Sequence, residues 1–311
     1  MGERVCTVGG NQATRPITDF LLNECPGKIW YVNSAGGIVT TTSGNGKSWN
    51  YPFLTIAEAV AVASAGDTIL CKGSFSEAVT VSLAGLKIIN VGTGPADAVW
   101  TAPTVAGSFC LYLNAANLLV YGFKFRPVVY TSSGIPSGIK LGSAPYARIL
   151  NNRFQGQANS YCGVYAPADT CDNVELSDNE FIYMNTLTNG YAIYGVAASN
   201  ALFSSWKIKN NTCNSCTNDI VLPGRNCLLE GNKHFINGVL ASGAIGAVTT
   251  GKAINLSGTG AGGNLVTKCT LGGAYTNTLY QQATGDVWMG NYAAITSATA
   301  PNGLTVAYPA A

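Results

Sequence analysis

The stretch that decides the fold is ILNNRF, residues 149–154. Near variants return as LSDNEF at 176–181, IKNNTC at 208–213 and, more loosely, LEGNKHF at 229–235. With Ile149, Leu176, Ile208 and Leu229 set in one column, Ala147, Val174, Trp206 and Cys227 stand two residues earlier, and Asn152, Asn179, Asn211 and Asn232 three residues later. Alternation with a period of two marks a strand whose column residues point inward. The Asn marks the bend that follows, because Asn tolerates the left-handed backbone conformation and its amide can bond along a stack of identical neighbours. Phe154, Phe181 and Cys213 re-enter the core at plus five. Phe235 comes one residue late, which predicts a one-residue bulge in that coil.

The columns lie 27, 32 and 21 residues apart, and Val120 in LLVYGFKF, with Phe125 at plus five, extends them 29 residues upstream. Each period holds a second short strand: CLYL from Cys110, GIKL from Gly138, GVYA from Gly163, AIYG from Ala192, DIVL from Asp219 and AINL from Ala253. Unequal periods around a fixed bend indicate a solenoid whose loops differ on one side. A coil of about 25 residues cannot close a core alone, whereas stacked coils bury one continuous interior. The expected fold is therefore all-β, a solenoid of stacked coils. Stacking in register puts Arg148, Glu175 and Lys207 in one outward column and Lys209 beside Glu230, so opposite charges meet along the stack.

Composition agrees. Only 10% of the 311 residues are charged and 37 are Gly, too apolar for a disordered chain and too rich in Gly for a helical bundle. A net charge of +2 gives no reason to expect nucleic acid as a partner, and no apolar run approaches the roughly 18 residues of a membrane span. MGERVCTVGG lacks the apolar core of a signal peptide, so export by that route is not expected. The ten cysteines read mostly as small buried hydrophobes. Cys213-x-x-Cys216, with Cys227 and His234 beyond it, superficially resembles a zinc set, but Cys213 and Cys227 already fill inward positions and the spacing matches no compact zinc module. No metal or cofactor is expected, and His234 reads as a turn or surface residue.

YPFLTIAEAVAVASAGDTIL predicts a short amphipathic helix over 54–63, closed at Gly66 and followed by a strand from Asp67. Laid across the first coil, it caps the exposed end of a solenoid core. YVNSAGG, YPFLTIAEAV and AGDTILCKGSFSEAVTV, together with the Asn columns, resemble right-handed parallel β-helix proteins of the pectin-lyase-like superfamily over 29–271. Within it, the sparse charge and the extra segments at both ends look most like the β-helix proteins of tailed-phage virions. That resemblance implies a non-enzymatic virion component, a tail spike, fibre or capsid decoration protein, found in the virion and usually homotrimeric. Residues 1–28 and 272–311 are the expected contacts with other virion proteins. Outward Leu119, Tyr121, Leu150 and Leu228 are the candidate trimer interface.

The competing expectation is a β-helix that binds or cleaves polysaccharide, such as a host surface glycan, and a third is a cell-surface adhesin. Pectate lyase-like catalysis needs a carboxylate cluster for calcium and a basic residue on one face. Polygalacturonase-like motifs, Asn-x-Asp, Asp-Asp and Gly-His-Gly, are absent from the sequence. The one dense acidic group is Asp169, Asp172, Glu175, Asp178 and Glu180, and it is where a catalytic pair would sit. Its structural explanation is a solvated loop and face, with Glu175 offered to Arg148 and Lys207. Tyr112, Tyr121, Tyr161, Tyr165, Tyr191 and Tyr194 could stack on sugars, or pack at an interface.

Overall fold

The computed structural model describes residues 27–34, 46–92, 98–105, 108–127, 135–156, 162–168, 170–184, 190–196, 202–236, 253–273, 280–281, 283–294 and 305–306. Three long sheets run the length of the molecule, with ten, eight and ten strands. Their strands follow one another in chain order from coil to coil. In one coil, Ser137–Leu141 belongs to the second sheet, Arg148–Leu150 to the first and Arg153–Gln155 to the third. Every pairing within the three sheets is parallel except the last of the third sheet, where Asn291–Ala294 meets Thr305–Val306 antiparallel. This is a parallel β-helix.

The expected register holds at each step. Val120 pairs with Ile149, Ile149 with Leu176, Leu176 with Ile208 and Ile208 with Leu229, and all five are buried. The column runs further in both directions, through Ile88 and Ile69 on one side and Val266 and Trp288 on the other. The coils therefore do not stop near 271 as the sequence suggested. Val287–Met289 and Asn291–Ala294 continue the first and third sheets for another coil.

On the third sheet the inward column is Trp100, Phe125, Phe154, Phe181, Cys213 and His234. Its rings stack, with centroids 5.2 Å apart for Phe125 and Phe154 and 4.7 Å for Phe154 and Phe181. Room for them comes from the second sheet. A Cβ at Gly138 would lie 2.8 Å from the Phe154 ring, and one at Gly163 would lie 2.7 Å from the Phe181 ring, so only glycine fits opposite each Phe.

The corner between the first and third sheets divides two roles that the sequence reading assigned to a single Asn. The left-handed residue is the one before it: Asn151, Asp178 and Asn210 have φ of 53°, 58° and 53°, and Gly231 has 66°. The following Asn152, Asn179, Asn211 and Asn232 are buried and form a ladder. The side-chain amides of Asn179 and Asn211 each donate at 3.0 Å to the carbonyl oxygen of the next Asn, and Asn152 donates to Asn179 at 3.2 Å. The backbone N–H of each also donates to the next rung's side-chain oxygen.

The cap is a helix over Ile56–Val62, shorter at both ends than the sequence pattern indicated. Thr55 and Glu58 form a capping box, and Glu77 accepts hydrogen bonds from the backbone of Ile56 and Ala57. Ile56 and Ala59 are buried against the first coils. Gly66, with φ of 82°, turns the chain toward the strand Thr68–Lys72, and Asp67 ties this turn together by accepting from Lys28 N, Ser64 N and the Trp30 indole. Among the described residues no helix is long and apolar enough to cross a membrane.

Candidate functional site

Among the described residues, the members of the dense acidic group have separate partners. Asp172 accepts from Ser204 N at 3.0 Å, Glu175 faces Arg148 at 3.4 Å and Glu180 faces Arg153 at 3.2 Å. Asp178 is the exposed left-handed corner residue. Asp169 lies outside the described residues, as does Tyr161. Period-two alternation explains the separation: these side chains point outward from different sheets or serve corners, so proximity in sequence does not become proximity in space. On the same outer face, Lys209 and Lys268 flank Glu230 at 3.7 and 3.0 Å.

The apolar positions expected at an interface are also altered. Leu119 does face out of the helix, yet it is buried together with Leu70 and Ile89 under Trp49 and Tyr31 of the same chain. The Lys72 ammonium lies 4.2 Å above the Trp49 ring. Tyr121 and Leu150 sit half-buried at the margin of this outer cluster, and Leu228 stands apart, between Lys207 and Leu265. The larger exposed apolar side chains of the terminal coil are Val287, Met289 and Tyr292.

Among the described residues, two arrangements remain that can bind or do chemistry. The first is on the outer face of the second sheet. Tyr112, Lys140, Tyr165 and Tyr194 occupy one column on consecutive strands, all half-buried. The Tyr165 and Tyr194 rings stack at 5.9 Å, and Tyr191 stacks on Tyr194 at 4.1 Å. Phe109 packs against Tyr112, and the Lys140 ammonium lies 5.1 Å from Tyr112 and 5.9 Å from Phe109. Partial burial raises the Tyr191 phenol to about 12, aided by its Tyr194 neighbour, so it stays protonated and can donate. The result is a strip of flat apolar rings carrying hydroxyls and one cation.

The second is inside the helix. His234 is neither a turn nor a surface residue. It pairs in register with Cys213, while Phe235 pairs with Asn214 and faces outward, so the coil has no bulge. His234 is fully buried, and Nδ1 lies 2.9 Å from the Asp219 carboxylate, also buried. Burial opposes the imidazolium, but the Asp219 hydrogen bond, the contact with Cys269 and the Asp219 charge outweigh it and lift the pKa to about 9. Ligand-type atoms of Cys213, Asp219 and His234 all lie within 4.8 Å of one another. Burial and the Asp219 charge push the Cys213 thiol well above its ordinary range. The sequence reading grouped Cys216 and Cys227 with His234; the fold replaces them with Asp219, across the interior on the second sheet. All eight described cysteines are buried free thiols.

No family model matches this chain, and no curated protein matches it. Solved structures do resemble it. A pectate lyase, Pel9A, superposes with a TM-score of 0.56 at 15% identity, over 88% of this chain and 78% of that one. An alginate lyase from Paenibacillus sp. str. FPU-7 also gives 0.56, at 14% identity, over 79% and 93%. The pectate lyase Bsp165PelA from Bacillus sp. N165, in complex with trigalacturonate, gives 0.50 at 12% identity, over 92% and 88%. These likenesses establish a pectate lyase-like parallel β-helix fold.

Proposed function

We propose that this protein is a non-catalytic, polysaccharide-binding β-helix whose glycan lies along the outer face of the second sheet. The observation that carries the reading is the in-register column Tyr112, Lys140, Tyr165 and Tyr194, flanked by Phe109 and Tyr191. Four adjacent strands span about 14 Å, room for several sugar rings on a rigid platform. Aromatic faces bind the apolar faces of sugars, phenols bond their hydroxyls, and rings fixed by a sheet lose little entropy on binding. Lys140 supplies a charge for acidic sugar substituents, and a pectate lyase of this fold is known in complex with trigalacturonate. What supports the non-catalytic part of the reading is that Asp172, Glu175, Glu180 and Glu230 each have their own partner.

Electrophoresis through gels containing polygalacturonate, alginate or dextran tests this. Retardation by at least one polymer is expected, with loss of retardation in Tyr165→Ala/Tyr194→Ala and no unsaturated product formed with calcium. Unretarded migration in every gel, or equal retardation of the double variant, refutes it.

A second reading, a homotrimeric spike, fibre or decoration protein of a phage virion held through residues 1–28 or the segment after 272, is favoured by one observation. Val287, Met289 and Tyr292 are 46%, 54% and 56% exposed on the terminal coil, an apolar set of the kind that interfaces cover. Light scattering at micromolar concentration tests it, and a stable monomer refutes a self-sufficient trimer.

A further inference from the structure

Three core positions change character together in the C-terminal half of the helix. In successive coils the second-sheet and third-sheet residues that face each other across the interior are Gly138 with Phe154, then Gly163 with Phe181. Asp219 lies between Asn218 and Ile220, which pair with Tyr191 and Ile193, so it is level with Ala192 in this series. In the third sheet Phe181 is followed by Cys213 and then His234. The series thus reads Gly–Phe, Gly–Phe, Ala–Cys, Asp–His. The strand register does not change along it, and the earlier coils fill this level with a glycine against a phenylalanine.

Burying a carboxylate and an imidazole instead costs several kcal/mol unless something compensates them. The Asp219–His234 hydrogen bond compensates part of this. It leaves His234 Nε2 fully buried with no hydrogen-bond partner. Cys213 has no role in that pair, yet its ligand atom lies within 4.8 Å of both partners.

We propose that Cys213, Asp219 and His234 form a structural transition-metal site, best suited to Zn2+, that clamps the second and third sheets together inside the helix. Thiolate, imidazole and carboxylate are the donor types that zinc takes in tetrahedral sites, and a mixed set of this kind does not suit calcium or magnesium. The three donors leave one tetrahedral position. Among the described residues no fourth His, Cys, Asp or Glu lies within the same 4.8 Å group, so that position is left for water. Binding releases the Cys213 thiol proton, and any proton on the ligating ring nitrogen, to solvent. With every donor buried, the site is closed to substrate, as structural zinc sites are.

The test uses the full chain, purified under reducing conditions from cultures supplemented with zinc, and separately refolded from denaturant with Zn2+ or Co2+. The expected result is one equivalent of metal per chain after gel filtration, a sulfur-to-cobalt charge-transfer band in the Co2+ form, and a thermal midpoint higher with metal than after refolding with a chelator. Asp219→Gly/His234→Phe rebuilds the glycine-against-phenylalanine packing of the earlier coils and is expected to fold while losing the metal and the band. Folded wild-type chain that carries no metal by either route overturns the site, as does full stoichiometry in the double variant. If that variant fails to fold, the cobalt spectrum of the wild type decides: a band without sulfur character overturns the proposal.

Discussion

Replacing Asn179 with Ala tests how much of the stack rests on its corner. Asn179 is 1% exposed and sits in the middle of the ladder. Its side-chain oxygen accepts from Asn152 N at 2.9 Å and from the Asn152 amide at 3.2 Å; its own amide donates to the Ile149 carbonyl at 2.8 Å and to Asn211 at 3.0 Å. Truncation leaves some of these groups served. The Asn152 amide still donates to Val120 and Leu150, and the Asn211 oxygen still accepts from Asn179 N. It strips the Asn152 N–H of its acceptor, while the Ile149 carbonyl stays in the parallel ladder with the next strand. At about 1–3 kcal/mol for a buried group left unsatisfied, the loss is about 1–3 kcal/mol. Phe123 and Cys269 occupy the same corner position in other coils, where the Phe123 and Cys269 N–H groups donate to Asn152 and Asn291. The corner therefore accepts apolar side chains, and the loss belongs to the hydrogen bonds. Urea unfolding followed by tryptophan fluorescence, with Trp206 reporting from a neighbouring buried position, measures it. A loss below about 1 kcal/mol refutes the reasoning, because it means water or a small shift replaces the rung.

Leu176→Ala removes a fully buried side chain from the middle of the first-sheet column and is expected to cost about 2–5 kcal/mol, so an unchanged melting temperature would remove it from the core. Tyr146 holds φ of 60° with an exposed ring, so Tyr146→Gly is expected to stabilise by about 1 kcal/mol, read as a raised midpoint. For Asp67, burial disfavours the carboxylate, but the bonds from Ser64, Trp30 and Lys28 prevail and hold its pKa below the usual 3.8. A depressed folded pKa gives stability that is present above 3.8 and lost as pH falls through the folded value, so the midpoint is expected to drop on acidification below pH 4, and to drop less in Asp67→Asn.

What the sequence makes legible is what repeats. Ile149, Leu176, Ile208 and Leu229 share one physical demand, burial in a strand, and four instances of one demand are visible as a column. The corner is legible only in part. NN, DN, NN and GN each carry two neighbouring residues with different duties, and both duties favour Asn, so the left-handed role fell on the wrong member of the doublet. The capping helix shows in its apolar spacing and in the Thr55–Glu58 capping box, while its first turn also rests on Glu77, twenty residues away, which no local pattern announces. The aromatic strip was visible as a list of tyrosines; Lys140 holds the third place of GIKL as Tyr112 does of CLYL and Tyr165 of GVYA, and a list of one residue type passes over it.

His234 is where local reasoning fails for an identifiable cause. A hydrophobic pattern places Phe235 inside and therefore needs a bulge to bring it there. The fold keeps the regular register and buries the imidazole instead, which is affordable only because Asp219 waits across the interior, fifteen residues earlier on another sheet. Nothing within a single coil specifies that partner, since the distance between facing residues depends on the loops between them. One signal was available all the same. Once the Gly138 and Gly163 positions are aligned with Phe154 and Phe181, the next members of the two columns are Ala192 with Cys213 and Asp219 with His234. A carboxylate and an imidazole that replace a glycine and a phenylalanine at facing positions, in one step of a repeat, mark a contact that the repeat alone does not require.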